Sequence, residues 1–96
     1  MVKIEKLGSL LQKLRRLDRD ATIYATEPWT ENSDAILARA PDGGGLPETA
    51  SKYKMRYFLE VGIAADFMED LPSSLQEQTS ASLLNRRLIE YAINDA

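Results

Sequence analysis

Apolar residues recur at spacings of three and four in the first part of the chain, which predicts an amphipathic helix over residues 3–17. The predicted core-facing stripe consists of Ile4, Leu7, Leu10, Leu11, Leu14 and Leu17. Gly8 weakens this helix locally by about 1 kcal/mol relative to alanine, a cost that tertiary packing must offset. The polar run Asp18-Arg19-Asp20 is expected to end the helix.

Three later segments have the pattern of β-strands. Residues 21–26 are rich in β-branched and aromatic side chains and residues 34–40 form a second short segment, so the two are predicted to pair as an antiparallel hairpin with a long loop. Residues 53–61 alternate most regularly, which predicts a central strand with one side on the core. That side would carry Tyr53, Met55, Tyr57, Leu59 and Val61.

The remaining segments complete a single-domain fold over residues 1–96. Residues 41–47 hold three glycines between two prolines, which predicts a mobile loop. A helical turn is expected at 49–52 and a helix over 63–71 that ends at Pro72. A last helix begins at Ser74, whose spacing to Glu77 suits a capping box, or at residues 78–80. The prediction is an α+β fold with a small antiparallel three-stranded sheet and the order α-β-β-β-α-α.

The absence of cysteine and histidine limits the chemistry open to this chain of 96 residues. It excludes a thiolate nucleophile, a serine–histidine–aspartate triad, a disulfide and the usual zinc sites. We therefore predict a protein that is not an enzyme and that holds no cofactor or metal. Ligand or hard-cation binding would have to use carboxylates.

Two carboxylate sites are candidates. Glu60 lies in the third predicted strand, where it either pairs with Arg56 on the same face or is buried. Asp66, Glu69 and Asp70 share one face of the following helix. That face points away from the apolar positions, which favours a solvent-facing stripe over a cation site.

No apolar run approaches the roughly 18 residues that cross a bilayer, and the charged N-terminal segment lacks the apolar region of a signal peptide. A cytoplasmic protein without a membrane partner is expected.

Charge is unevenly distributed along a chain whose net charge is −3. Residues 1–19 carry an excess of lysine and arginine, but these surround a helix without neighbouring aromatics, so no nucleic-acid partner is predicted. Residues 27–50 and 60–77 are acidic. Such surfaces favour association with a basic protein partner, although solubility alone would also explain them.

The one tryptophan of the chain, Trp29, lies in the acidic loop between the first two predicted strands. Loop aromatics often serve recognition, and they equally often fold back as a lid on the core. On the first alternative, the partner-binding residues are Glu27, Trp29, Glu31 and Asp34.

Two segments resemble parts of other proteins. Residues 10–24, LLQKLRRLDRDATIY, resemble the helix-to-strand opening of many short bacterial and phage proteins of unknown function. Residues 57–61, YFLEV, followed by a helix, are similar to another part of such small domains. This sequence has Asp18-Arg19 where the commoner form carries a proline. The resemblance implies the same fold outline and carries over no activity or site.

These features predict a small protein-binding or regulatory module that meets its partner through an acidic surface. The alternative is a small-ligand or oxygen-ligated metal-binding domain. The small core of so short a chain also favours a homodimer, because burying a second face adds stability.

Overall fold

The computed structural model describes residues 3–70 and 81–95, without the side chains of residues 81, 82 and 95. Over these residues it has four strands, four α-helices and one 3-10 turn. In chain order they are β1 Glu5–Lys6, α1 Leu7–Gln12, the 3-10 turn Leu14–Arg16, β2 Thr22–Thr26, β3 Asp34–Ala38, α2 Glu48–Lys52, β4 Met55–Glu60, α3 Val61–Asp70 and α4 Ala81–Asp95. The predicted α+β class is confirmed.

The strands form one antiparallel sheet with the order β1-β3-β2-β4. The predicted three-stranded sheet and the order α-β-β-β-α-α are therefore wrong. β2 and β3 form the expected hairpin, and β1 adds a short strand to the other side of β3. Among the described strands β4 pairs with β2 alone, so it lies at an edge of the sheet and not at its centre as predicted.

The first helix is shorter than predicted because its first residues belong to the sheet. The Leu7 N–H donates to the Ser33 carbonyl at 2.8 Å and the Gly8 N–H to the Glu31 carbonyl at 2.9 Å, so α1 begins against the β2–β3 loop. A Cβ at Gly8 would lie 3.1 Å from the Glu31 Cβ, and glycine therefore permits this close approach. The predicted apolar stripe is buried at Leu7, Leu10, Leu11 and Leu14.

Both faces of the sheet carry buried apolar side chains. On one face Ile23, Ala25 and Leu59 pack with the leucines of α1 and with α3 and α4. On the other face Tyr24 and Met55 pack in a smaller cluster that includes α2. β2 is buried over residues 22–25 because elements cover it from both sides.

A register shift in β4 explains why its predicted alternation fails. Tyr24 lies opposite Tyr57 and Ile23 lies opposite Leu59, so Phe58 is the extra residue of a β-bulge. Phe58 is 1% exposed and Tyr57 is 46% exposed, so the prediction is wrong for these two residues, whereas Met55, Leu59 and Val61 are buried as predicted. Because of the bulge, Arg56 lies opposite Ala25 and Glu60 opposite Thr22, so the two are on opposite faces. Arg56 pairs with Glu27 instead and Glu60 is exposed, so neither alternative predicted for Glu60 holds.

β4 continues directly into α3, which begins at Val61 and not at Ile63 as predicted. The Val61 N–H donates to the Ala21 carbonyl at 2.9 Å and the Gly62 N–H to the Arg19 carbonyl at 3.1 Å. These bonds satisfy two of the donors that a helix N-terminus leaves unpaired. The segment before β2 is thereby fastened to the start of α3.

Residues 41–47 contain neither helix nor strand, and α2 occupies the predicted helical turn. The predicted helix end at Pro72 and the predicted capping box of Ser74 and Glu77 lie outside the described residues. Within 3–70 and 81–95, no helix is long and apolar enough to cross a membrane.

Candidate functional site: a groove beside Trp29

The loop that joins β2 to β3, residues 27–33, is held by its own hydrogen bonds. The Ser33 hydroxyl accepts from the Thr30 N–H at 2.9 Å and donates to the Pro28 carbonyl at 3.1 Å. The Thr30 hydroxyl accepts from the Asn32 N–H at 3.2 Å. Ser33 is buried, so its hydroxyl acts as an internal support of the loop. The loop therefore presents Trp29 in one defined position.

Trp29 is half-buried and packs against the core. Its ring meets Phe58 edge-on, with 5.0 Å between centroids and 83° between planes. Its indole N–H donates to the Ala25 carbonyl at 3.2 Å. Trp29 thus packs on the core at the helix-covered face of the sheet. The same side chain also lines an open groove.

The groove lies between the loop and α4 and has a volume of about 350 Å³. Its apolar floor is formed by Trp29, Ile89 and Ile93, and Ile93 is 51% exposed. Polar and charged side chains complete the lining: Thr30, Glu31, Asn32, Arg86 and Glu90. The α4 half of this groove was not identified from the sequence, because the pairing of a loop with a distant helix has no local signal.

Two of the four predicted partner-binding residues carry ion pairs within the chain. Glu27 pairs with Arg56 at 3.2 Å, and Asp34 pairs with Lys6 at 3.1 Å. The side chains of both ion pairs are more than half exposed. The sheet therefore brings a cation from β4 to the acidic loop and one from β1 to the start of β3, and these cations partly neutralise the acidic surface predicted from the sequence.

Glu31 is joined to the buried amide of Asn85. The Asn85 side-chain nitrogen donates to the Glu31 Oε1 at 3.3 Å and to the Gly8 carbonyl at 3.5 Å. Asn85 is 1% exposed, and its two acceptors belong to the loop and to α1. This amide ties three elements together behind the groove. The only sequence signal was a polar residue at the core-facing spacing of α4.

The other carboxylates have different surroundings. Asp66 pairs with Arg19 at 2.9 Å, and both side chains are mostly exposed. The carboxylate raises the pKa of Arg19, chiefly through this hydrogen bond. Within the described part of the chain, no three acidic side chains converge on a point where a metal ion could sit.

A larger groove of about 660 Å³ runs beside α1 and the 3-10 turn, where Lys13, Arg15 and Arg16 contribute to its lining. Lys13 pairs with Glu5 at 2.7 Å. Among the described side chains, no buried polar atom lacks a hydrogen-bond partner.

Tyr24, 2% exposed between β3 and β4, gives the fold an alkaline sensitivity. Burial raises the pKa of Tyr24, a hydrogen bond with Thr22 opposes the rise, and Glu60 adds to it. Because the folded-state pKa lies above that of the unfolded chain, this stabilising contribution is complete below about pH 10 and decreases as the pH rises further.

We expect Tyr24→Phe to flatten the decrease of the free energy of unfolding above about pH 10, measured by urea titration at each pH. The lysines and the other tyrosines are common to both proteins, so the difference between the two slopes isolates Tyr24. Parallel slopes would contradict the assignment.

Comparison of the chain with known protein families, curated proteins and solved structures finds no match. Its function is therefore inferred from the geometry above.

Proposed function

We propose that this chain is a small protein-binding or regulatory module whose contact surface is the Trp29 groove together with the acidic loop beside it. The observation that carries this proposal is the open apolar floor that Trp29 shares with Ile89 and Ile93. Protein interfaces commonly combine an aromatic anchor and apolar side chains with a charged rim. The groove is large enough to receive a side chain of a partner.

The charges of the acidic loop and of the start of β3 favour a basic partner. The pairs of Glu27 with Arg56 and of Asp34 with Lys6 are exposed to solvent. Exposed pairs of this kind contribute about 0–1 kcal/mol, so a cation from a partner can replace the internal one at little cost. The acidic residues thus remain usable as contacts, and association with the partner should weaken as salt rises.

The proposal is tested by capturing the partner from a lysate of the source cells with the tagged chain, washed at low and at high salt. Asn32→Arg places a cation at the groove rim, on an exposed side chain, and should reduce the retained partner by about tenfold. Asn94→Arg is the matched control, because it makes the same change on α4 at an exposed position outside the groove lining. Equal retention by both variants, or no retained partner at either salt, would contradict the proposal.

Removing Arg56, which pairs with Glu27 within the chain, should strengthen binding of the partner. Arg56→Gln leaves Glu27 without its ion-pair partner, and we expect about two- to fivefold tighter binding of the captured partner in a titration at low salt. Arg39→Gln is matched to it, since Arg39 also forms an exposed ion pair, with Asp18 at 2.7 Å, and both changes remove one positive charge. If the two variants bind the partner equally, Glu27 is not a contact.

A further inference from the structure

The outward side of α4 carries an ordered stripe. Asn85, Leu88, Ile89 and Ala92 face the core and are buried. On the exposed side, Leu83, Arg86, Glu90 and Ile93 follow one another at spacings of three, four and three, which places them along one line of the helix surface. Leu83 is 49% exposed and Ile93 is 51% exposed. The stripe therefore has an apolar side chain at each end and two opposite charges between them.

The two charges of the stripe, Arg86 and Glu90, are exposed. The ion pairs among residues 3–70 and 81–95 include neither Arg86 nor Glu90. The two residues are four positions apart on one helix, but the basic residue precedes the acidic one, which is the less favourable order for a pair within a helix. Both charges thus point to solvent beside exposed apolar side chains.

We propose that this stripe is the contact surface of a homodimer in which α4 packs antiparallel against α4 of a second copy. A two-fold axis at the middle of the stripe brings Arg86 opposite Glu90 of the second copy, and the reverse contact forms at the same time. Leu83 then meets Ile93 of the second copy at both ends. A surface that is complementary to itself under rotation is what a two-fold interface requires.

The occupant is a second copy because the order of the stripe is complementary to its own reversal. Read from residue 83 it is apolar, positive, negative, apolar, and read from residue 93 the two signs are exchanged. The stripe is about 15 Å long at 1.5 Å per residue, so the interface lies at the small end of specific interfaces and the dimer should be weak. Arg86, Glu90 and Ile93 also line the Trp29 groove, so a dimer would compete with the proposed partner for this surface. The dimer itself is tested on the purified chain alone, without any partner.

Sedimentation equilibrium at low salt, over about 5–500 µM protein, should show a reversible monomer–dimer equilibrium that higher salt weakens. Arg86→Glu places two pairs of like charges across the axis and should weaken the dimer by about 10- to 100-fold, and Glu90→Arg should do the same. Arg87→Glu is the matched control: the change is identical, one residue away and off the stripe, and the dimer should persist.

An equimolar mixture of the Arg86→Glu and Glu90→Arg chains provides the decisive test. Each variant repels itself, but the two are complementary to each other, so the mixture should form a heterodimer within about threefold of the wild-type affinity. Its formation also shows that both variants are folded. A wild-type chain that stays monomeric over the whole range would overturn the inference. So would a dimer that Arg86→Glu leaves intact, or two variants that fail to pair.

Discussion

Replacing Asn85 by aspartate is expected to lower the free energy of unfolding by about 3–5 kcal/mol at neutral pH, because the change buries a charge without a counter-ion. The amide of Asn85 donates to two acceptors, the Glu31 carboxylate and the Gly8 carbonyl. Aspartate has no N–H to donate, and its charge would lie beside that of Glu31. Thermal and urea unfolding of the variant should show the loss directly.

The loss in Asn85→Asp should depend on pH. Burial and the neighbouring carboxylate raise the pKa of the introduced group in the folded state above its value of about 4 in the unfolded chain. The sign follows from proton linkage: stability is highest below the unfolded-state pKa and decreases as the pH rises through the folded-state pKa. Part of the loss should therefore be recovered as the pH is lowered from neutral toward about 5.

Asn85→Leu serves as the control, because it removes the same hydrogen bonds without adding a charge. It should cost about 1–3 kcal/mol, with the same pH dependence as the wild-type chain. If the aspartate and leucine variants lose the same stability at every pH, the side chain of Asn85 does not lie between these two acceptors.

Trp29→Ala is expected to reduce the free energy of unfolding by about 2–4 kcal/mol, a little less than a fully buried tryptophan because the ring is half-exposed. The variant loses the edge-on contact with Phe58 and the hydrogen bond to the Ala25 carbonyl. For a chain of this size the loss corresponds to a decrease of roughly 10–25 °C in Tm. Calorimetry would measure both quantities.

Two further variants separate the contributions of Trp29. Trp29→Phe keeps an aromatic ring on Phe58 and loses the N–H, so it should cost about 1 kcal/mol for the hydrogen bond and somewhat more for the smaller ring. Tyr53→Ala removes an aromatic ring that is 44% exposed and should have a smaller effect than Trp29→Ala. A loss below about 1 kcal/mol in Trp29→Ala would show that the indole is not packed on the core. The expected loss is also why Asn32, and not Trp29, is the position at which to test partner binding.

The parts of the fold that follow local rules were predictable. The leucine spacing located the core side of α1, and the two β-rich segments around residue 30 indicated their hairpin. The position of β4 was not predictable in the same way, because its strong alternation reports burial and does not say which strands lie beside it. Glu5 and Lys6 lie inside the apolar spacing of the first helix, and two residues are too few to show a strand pattern.

The candidate site was predictable only on its loop side. Trp29 and its acidic neighbours are conspicuous in the sequence, whereas Lys6 and Arg56 reach them through the pairing of distant strands. The bulge at Phe58 is a second example. Because of this bulge, Arg56 lies near Glu27 and not on the same face as Glu60. A prediction that assumes strict alternation of faces along the strand cannot detect a bulge. Non-local pairing therefore determined the electrostatics of the site.

The measurement that tests the proposed contact surface most directly is amide hydrogen–deuterium exchange of the chain, alone and bound to its captured partner, at equal chain concentration. The structure predicts that binding slows exchange in residues 27–34 and in the α4 segment 86–93, where the two walls of the Trp29 groove lie. Slowed exchange confined to α2 and β4, with residues 27–34 unchanged, would contradict the groove as the site of partner binding.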